Sequence, residues 1–95
     1  MQFTWDERKN RANRRKHDIS FETALLVFDD PYHMSRQDRE VEGEVRWQTI
    51  GMVNGDHIVM VAHTVERTDD SEETIRIISA RKATPQERRI YGEGI

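Results

Sequence analysis

The chain contains no cysteine, which excludes disulfides and thiolate metal sites and fits a reducing cytoplasm. No apolar run approaches the roughly 20 residues needed to cross a bilayer, and the N-terminus lacks a signal-peptide hydrophobic region. A soluble, cytoplasmic protein with no membrane partner is therefore expected. Aromatic residues are scarce, at 7% of 95, and hydrophobic residues reach only 35%, the same share as charged ones. Such a chain suffices for one domain, residues 1–95, with a thin core and marginal stability. A partner that binds only the folded form would add stability by mass action.

What is abundant is charge, and it is segregated. Segments 1–17 and 76–95 together carry 11 Lys/Arg against Asp6, Glu7, Glu87 and Glu93, whereas segment 18–75 carries 4 against 14 Asp/Glu. Two basic ends flanking an acidic middle suggest a polyanion-facing surface on an acidic body. The alternative is a pair of solvated faces linked by surface ion pairs of little energetic value.

The chain is organised around Thr74–Tyr91. Ile75, Ile77 and Ile78 mark a strand with no Gly or Pro. A helix then starts where Thr84 is the N-cap, Pro85 takes the first helical position and Glu87 closes a capping box. Gly92 is expected to end it. At the other end, Phe3–Trp5 reads as a short strand and Asp6 as an N-cap. Residues 7–17, ERKNRANRRKH, form a helix whose only apolar residue is Ala12, so it has no hydrophobic face to bury. Its like charges at i,i+3 and i,i+4 oppose an isolated helix, which an anionic partner would relieve. Ser20 caps a second helix, with Phe21, Ala24, Leu25 and Phe28 as its core stripe, ending at Asp29-Asp30-Pro31. Tyr32–Arg36 reads as a short strand and Gln37–Glu44 as a polar connection. Val45–Val53 and His57–Val65 form a hairpin across Asn54-Gly55, and residues 66–73 form an acidic loop. The expected class is α+β: a small antiparallel sheet of about four strands with two N-terminal helices and one C-terminal helix.

Several cations sit where a phosphate could be held. Arg46 and Arg76 lie in otherwise strand-like runs, and guanidinium forks suit phosphate. By simple alternation Arg76 shares a face with Ile78 and Ala80, and Arg81 falls on the opposite face unless the strand ends or bulges first. His17, His63, Tyr91, Lys9 and several carboxylates are candidate acids and bases. For each a structural role competes: His17 as a partner of the helix C-terminus, His63 as a sheet-packing residue, Tyr91 as a core closer. Lys9, Arg11, Arg14, Arg15 and Lys16 on the first helix, with Lys82 and Arg88 near the last, are candidate phosphate-contacting cations. Trp5 and Trp47 read as core. No His or carboxylate grouping has metal-ligand spacing, so neither a metal site nor a cofactor is expected.

The strings FTWDERKNRANRRKHDISFETALLVFDDP and RIISARKATPQERRIY, with the central R-W-x-x-I-G of Arg46–Gly51, closely resemble the BrnT family across essentially the whole chain. The motifs W-D-x-x-K-N-x-x-N-x-x-K-H and R-I-I-S-A-R carry the resemblance. One departure is Asp18, where the family usually has a glycine. Glycine there implies a left-handed helix stop, a geometry Asp tolerates less easily. The resemblance implies a RelE-related fold and a ribonuclease toxin of a type II toxin–antitoxin pair. It also implies a BrnA-type ribbon-helix-helix antitoxin as partner, a toxin–antitoxin heterotetramer, and DNA contact only through that antitoxin. RNA cleavage would then proceed without a metal, with Arg76, Arg81, Arg46, His17 and Tyr91 as the catalytic candidates. A non-catalytic RNA-binding module and a protein-docking domain are the alternatives.

Overall fold

In the computed structural model, which describes residues 1–68, 70 and 72–93, nine elements follow one another. They are β1 (Gln2–Thr4), α1 (Glu7–His17), α2 (Phe21–Ala24), a 3-10 segment (Leu25–Asp29), β2 (Met34–Val41), β3 (Glu44–Val53), β4 (His57–Arg67), β5 (Glu73–Lys82) and α3 (Pro85–Glu93). The strands form one five-stranded sheet in the order β1-β5-β4-β3-β2.

This corrects the expected antiparallel sheet of about four strands. The sheet is mixed, because β1 pairs in parallel with β5 through Gln2↔Thr74, Phe3↔Ile75 and Thr4↔Arg76. The residues read as a polar connection belong largely to β2, an edge strand whose side chains are mostly exposed and which therefore lacks an alternating apolar pattern. A tight turn at Glu42-Gly43 joins it to β3, with φ of 51° and 81°, the positive pair that type I′ hairpins require. The Asn54-Gly55 hairpin forms, with Asp56 as a third loop residue before His57 pairs with Val53.

The expectation of two N-terminal helices is also corrected. Beyond α1 there is one α-turn, capped by Ser20, which tightens into the 3-10 segment. Tightening changes the buried set: Phe21, Ala24 and Val27 are fully enclosed at spacing three, while Leu25 and Phe28 are only partly buried. Gly51 allows this segment its close approach to β3, since a Cβ there would stand 2.8 Å from the Val27 carbonyl oxygen. At the C-terminus, α3 opens with the capping box (Glu87 N to Thr84 Oγ1 3.1 Å, Thr84 N to Glu87 Oε1 2.9 Å) and runs through Gly92 to Glu93. Of the expected acidic loop, Asp69 and Ser71 lie outside the described residues.

The two sheet faces are unequal. One carries Val53, Val59, Val61, Ile75, Ile77 and Ala80 under Ile19, Phe21, Ala24 and Val27. The other holds, among the described residues, the smaller cluster of Ile50, Met60 and Tyr91, flanked by Met52, Ile58 and Ala62. Helix α3 closes that second, smaller core.

Candidate active site

The arginines meet because β5 bulges. Its register against β4 slips between Ala62↔Ser79 and His63↔Ile77, so Ile78 has no partner. After the slip, Arg76 opposes Thr64 and Arg81 opposes Met60. Thr64 and Met60 are four apart on β4 and share a face, so the two arginines do as well. Arg46, next to Trp47 of the Trp47↔His63 pair, falls on that same face, and so does Arg36 through Arg36↔Gln48. Four guanidinium groups thus line the thinly covered face of the sheet.

Two carboxylates organise them into clusters. Glu44 Oε1 accepts from Arg76 Nη2 at 2.6 Å and lies 3.6 Å from Arg46 Nη2. Glu87 is bound in fork geometry by Arg81, Nη1 to Oε1 2.7 Å and Nη2 to Oε2 3.1 Å, with Arg36 Nη2 adding 3.3 Å. The Arg81 hydrogen bonds hold the Glu87 carboxyl below the usual carboxylate range, and Glu87 in turn raises Arg81. The clusters differ in access. The Glu87 side chain is 6% exposed, the Glu44 side chain 36%. Among the described residues, Arg46 Nε and Thr64 Oγ1 are enclosed without a hydrogen-bond partner.

Helix α1 lies along the other side of β5, beyond the reach of the three-residue β1. Its buried face is polar: Asn10 and Asn13 are the enclosed residues. Asn13 pairs with the free edge of β5 as a peptide group would. Its Nδ2 donates to the Ala80 carbonyl at 2.9 Å and to that of Ile19 at 2.8 Å, while the Ala80 N–H donates back to Oδ1 at 3.1 Å. Asn10 Oδ1 accepts from the Phe21 N–H at 2.8 Å and its Nδ2 donates to Glu22 at 2.8 Å. The helix ends at Asp18, which takes the left-handed geometry (φ 59°, ψ 29°) and donates its N–H to Arg14 O at 2.9 Å. Asp18 therefore makes the stop that glycine would make.

The family model for the ribonuclease toxin BrnT of type II toxin–antitoxin systems matches residues 5–87. This chain belongs to the BrnT family. It is also similar to the crystal structure of the Brucella abortus ribonuclease toxin BrnT, at 27% identity and a TM-score of 0.61, with 88% of this chain and 97% of that one covered. No curated protein sequence matches it. As a BrnT-family ribonuclease toxin, it acts within a toxin–antitoxin pair whose other member is an antitoxin protein.

The three BrnT motifs now have structural content. In R-I-I-S-A-R, both arginines line the site, Ile78 is the bulge, and Ala80 is the residue Asn13 grips. In W-D-x-x-K-N-x-x-N-x-x-K-H, the two asparagines join α1 to α2 and to β5. In R-W-x-x-I-G, Arg46 faces the site and Gly51 admits Val27. Reasoning from apolar periodicity misses Asn10, Asn13, Glu44 and the role of Glu87. The N-x-x-N spacing on a helix without apolar residues was the available signal for the first pair.

The remaining candidates are spread out. Tyr91 is 3% exposed and donates its hydroxyl to Asp30 Oδ2 at 2.5 Å. Burial, then that bond, pushes it up to about 12, so it latches α3 in place. Lys9, Lys16 and His17 line a groove between α1 and the β5 bulge. Arg11 and Arg14 line a cleft on the other side of α1, beside Glu7, Asp18 and Glu22. Arg15 is exposed on α1. Lys82 and Arg88 flank the turn at Gly55-Asp56. His63 is a sheet-packing residue, 2% exposed, bonded to Thr49 Oγ1 at 2.7 Å and met edge-on by Phe28 at 5.2 Å. No helix of the described residues is long and apolar enough to cross a membrane.

Proposed function

We propose that this chain is a single-domain, metal-independent endoribonuclease that cuts RNA at the cluster of Arg46, Arg76 and Glu44. The observation that carries the reading is the β5 bulge, which turns Arg76 and Arg81 onto one face with Arg46. Cleavage by the neighbouring 2′-hydroxyl needs a base for its proton and positive charge for the crowded phosphorane. Glu44, the carboxylate that both Arg46 and Arg76 approach, accepts that proton. Arg46 and Arg76, which flank Glu44, then stabilise the phosphorane oxygens in its place. The P–O5′ bond breaks as the 2′-oxygen bonds to phosphorus, and the departing 5′-oxygen takes its proton from solvent water, leaving a 2′,3′-cyclic phosphate and a 5′-hydroxyl. Arg81 plays a positioning part: it is committed to Glu87 and, through it, holds Arg36 and α3.

The antitoxin is of the BrnA type, with a ribbon-helix-helix part that provides all DNA contact. It neutralises by covering the arginine face, in a heterotetramer of two toxins and two antitoxin chains. The test is incubation of the purified chain with defined RNA in EDTA, with and without the neighbouring-gene product. Cyclic-phosphate-ended fragments, lost in Arg76→Ala and Glu44→Gln and suppressed by the partner, are expected. RNA that is bound but left intact would sink the nuclease reading in favour of a binding module. Arg81→Ala is a poor probe, because it strands the buried Glu87 carboxylate and costs stability as well.

A further inference from the structure

The charges of this molecule are not all used alike. Arg36, Arg46, Arg76 and Arg81 are each paired with a carboxylate, whereas none of the six cations of α1 makes an ion pair among the described residues. Two of the six, Lys9 and Lys16, stand two helical turns apart. With His17 they line a groove of about 230 Å³ whose other wall is Ile78 and Ser79. Among the described residues no carboxylate lines this groove, in contrast to the cleft on the opposite side of α1, which carries Glu7, Asp18 and Glu22.

The position of the groove matters as much as its charge. Ile78 is the bulge residue, and Ser79, opposite Ala62, lies on the same sheet face as Arg76 and Arg81. The bulge that gathers the arginines is therefore also the threshold between that face and the groove. From this continuity we propose that the α1–bulge groove is a phosphate subsite, holding the RNA backbone next to the nucleotide that is cut. The proposal rests on the arginine face being the cleavage site. Seven residues of helix span roughly 10 Å, enough for Lys9 and Lys16 to hold different phosphates of one strand. Lysine, a flexible point charge, suits backbone tracking without base readout. An acidic protein segment would also meet positive charge here, but nothing would then require the groove to open onto the arginines.

The experiment is titration of the full-length chain with a 2′-O-methyl single-stranded RNA of roughly ten nucleotides, which binds without being cut, across a range of salt. Lys9→Ala/Lys16→Ala is compared with wild type, and Lys9→Gln/Lys16→Gln repeats the test with side chains of similar length. Both positions are exposed helix positions where these residues are well tolerated, and an unchanged thermal midpoint verifies the fold. Loss of two phosphate contacts at about 0.7 counterions each lowers the salt slope by about 1.4 and affinity about tenfold at 0.15 M salt. Wild-type affinity and slope in both double variants would overturn the subsite. So would unchanged RNA binding with weakened antitoxin binding, which would make the groove a protein-docking surface. The underlying cleavage reading fails separately: Arg76→Ala that still cuts RNA, beside a double variant with weakened binding, would leave the groove standing and move the chemistry elsewhere.

Discussion

Replacing Asn13 by alanine tests the central mechanical claim, that a polar side chain rather than an apolar stripe fastens α1 to the sheet. Asn13 is 7% exposed and Ala80 fully buried. The substitution deletes three hydrogen bonds, to Ile19 O, to Ala80 O and from Ala80 N. The Ala80 N–H and C=O belong to an edge with no neighbouring strand at that point, so they have no alternative partner in the fold. A buried backbone group left unpaired costs about 1–3 kcal/mol. Water entering the space left by the amide recovers part of this, and alanine's better helix propensity returns about 0.5 kcal/mol. The expected net loss is about 2–4 kcal/mol, against a total stability on the order of 5–15 kcal/mol for a domain. Urea denaturation followed by circular dichroism measures it, with the slope m reporting whether the transition stays two-state. Asn13→Leu separates the causes, since it restores volume without hydrogen bonds and should remain destabilised. Arg15→Ala, on the exposed face of the same helix, should fall within about 0.5 kcal/mol of wild type. An Asn13→Ala protein as stable as Arg15→Ala would refute the reasoning.

Gly51→Ala places a methyl group against the Val27 carbonyl and side chain at 2.8–2.9 Å; a loss of about 1–3 kcal/mol is expected from the same urea titration. Stability should also fall on mild acidification. Burial holds the proton affinity of His63 below that of an ordinary histidine, about 6.5, so below that pH the unfolded chain binds the proton that the folded chain refuses. The folded state loses up to about 1.4 kcal/mol per pH unit there. Thermal midpoints of wild type and His63→Gln between pH 7.5 and 5 measure the effect, and an equal acid sensitivity in both would assign it to other groups.

Much of this molecule was legible because local signals agreed with the final structure. The Asp6 and Ser20 caps, the Thr84–Glu87 capping box and the Asn54-Gly55 turn all depend on neighbours within a few residues, and all formed. Arg46 and Arg76 are legible from their place in strand-like runs, whereas nothing in the sequence singles out Arg36. Their convergence was not readable, because simple alternation separates Arg76 from Arg81 and only the unpaired Ile78 reverses that parity. The edge strands were legible only in part: Phe3–Trp5 and Tyr32–Arg36 read as short strands, but neither the parallel pairing of β1 nor the full length of β2 follows from them. Three residues of β1 find a parallel partner more than seventy positions away, and β2 is exposed enough to look like a loop. Glu44 was read as the end of a polar connection, and its role appears only where two strands bring Arg46 and Arg76 to it.

By itself, the sequence determined the helix boundaries set by caps, the segregation of charge and, through its motifs, membership of the BrnT family. Tertiary structure decided which polar groups are buried, which carboxylate answers which arginine, and that one extra residue in β5 builds both the arginine face and the groove beside it. The division follows from range. A cap or a turn is settled by dihedral preferences and hydrogen bonds within a few residues, whereas the parity of a strand depends on its register with a partner that the local sequence does not specify.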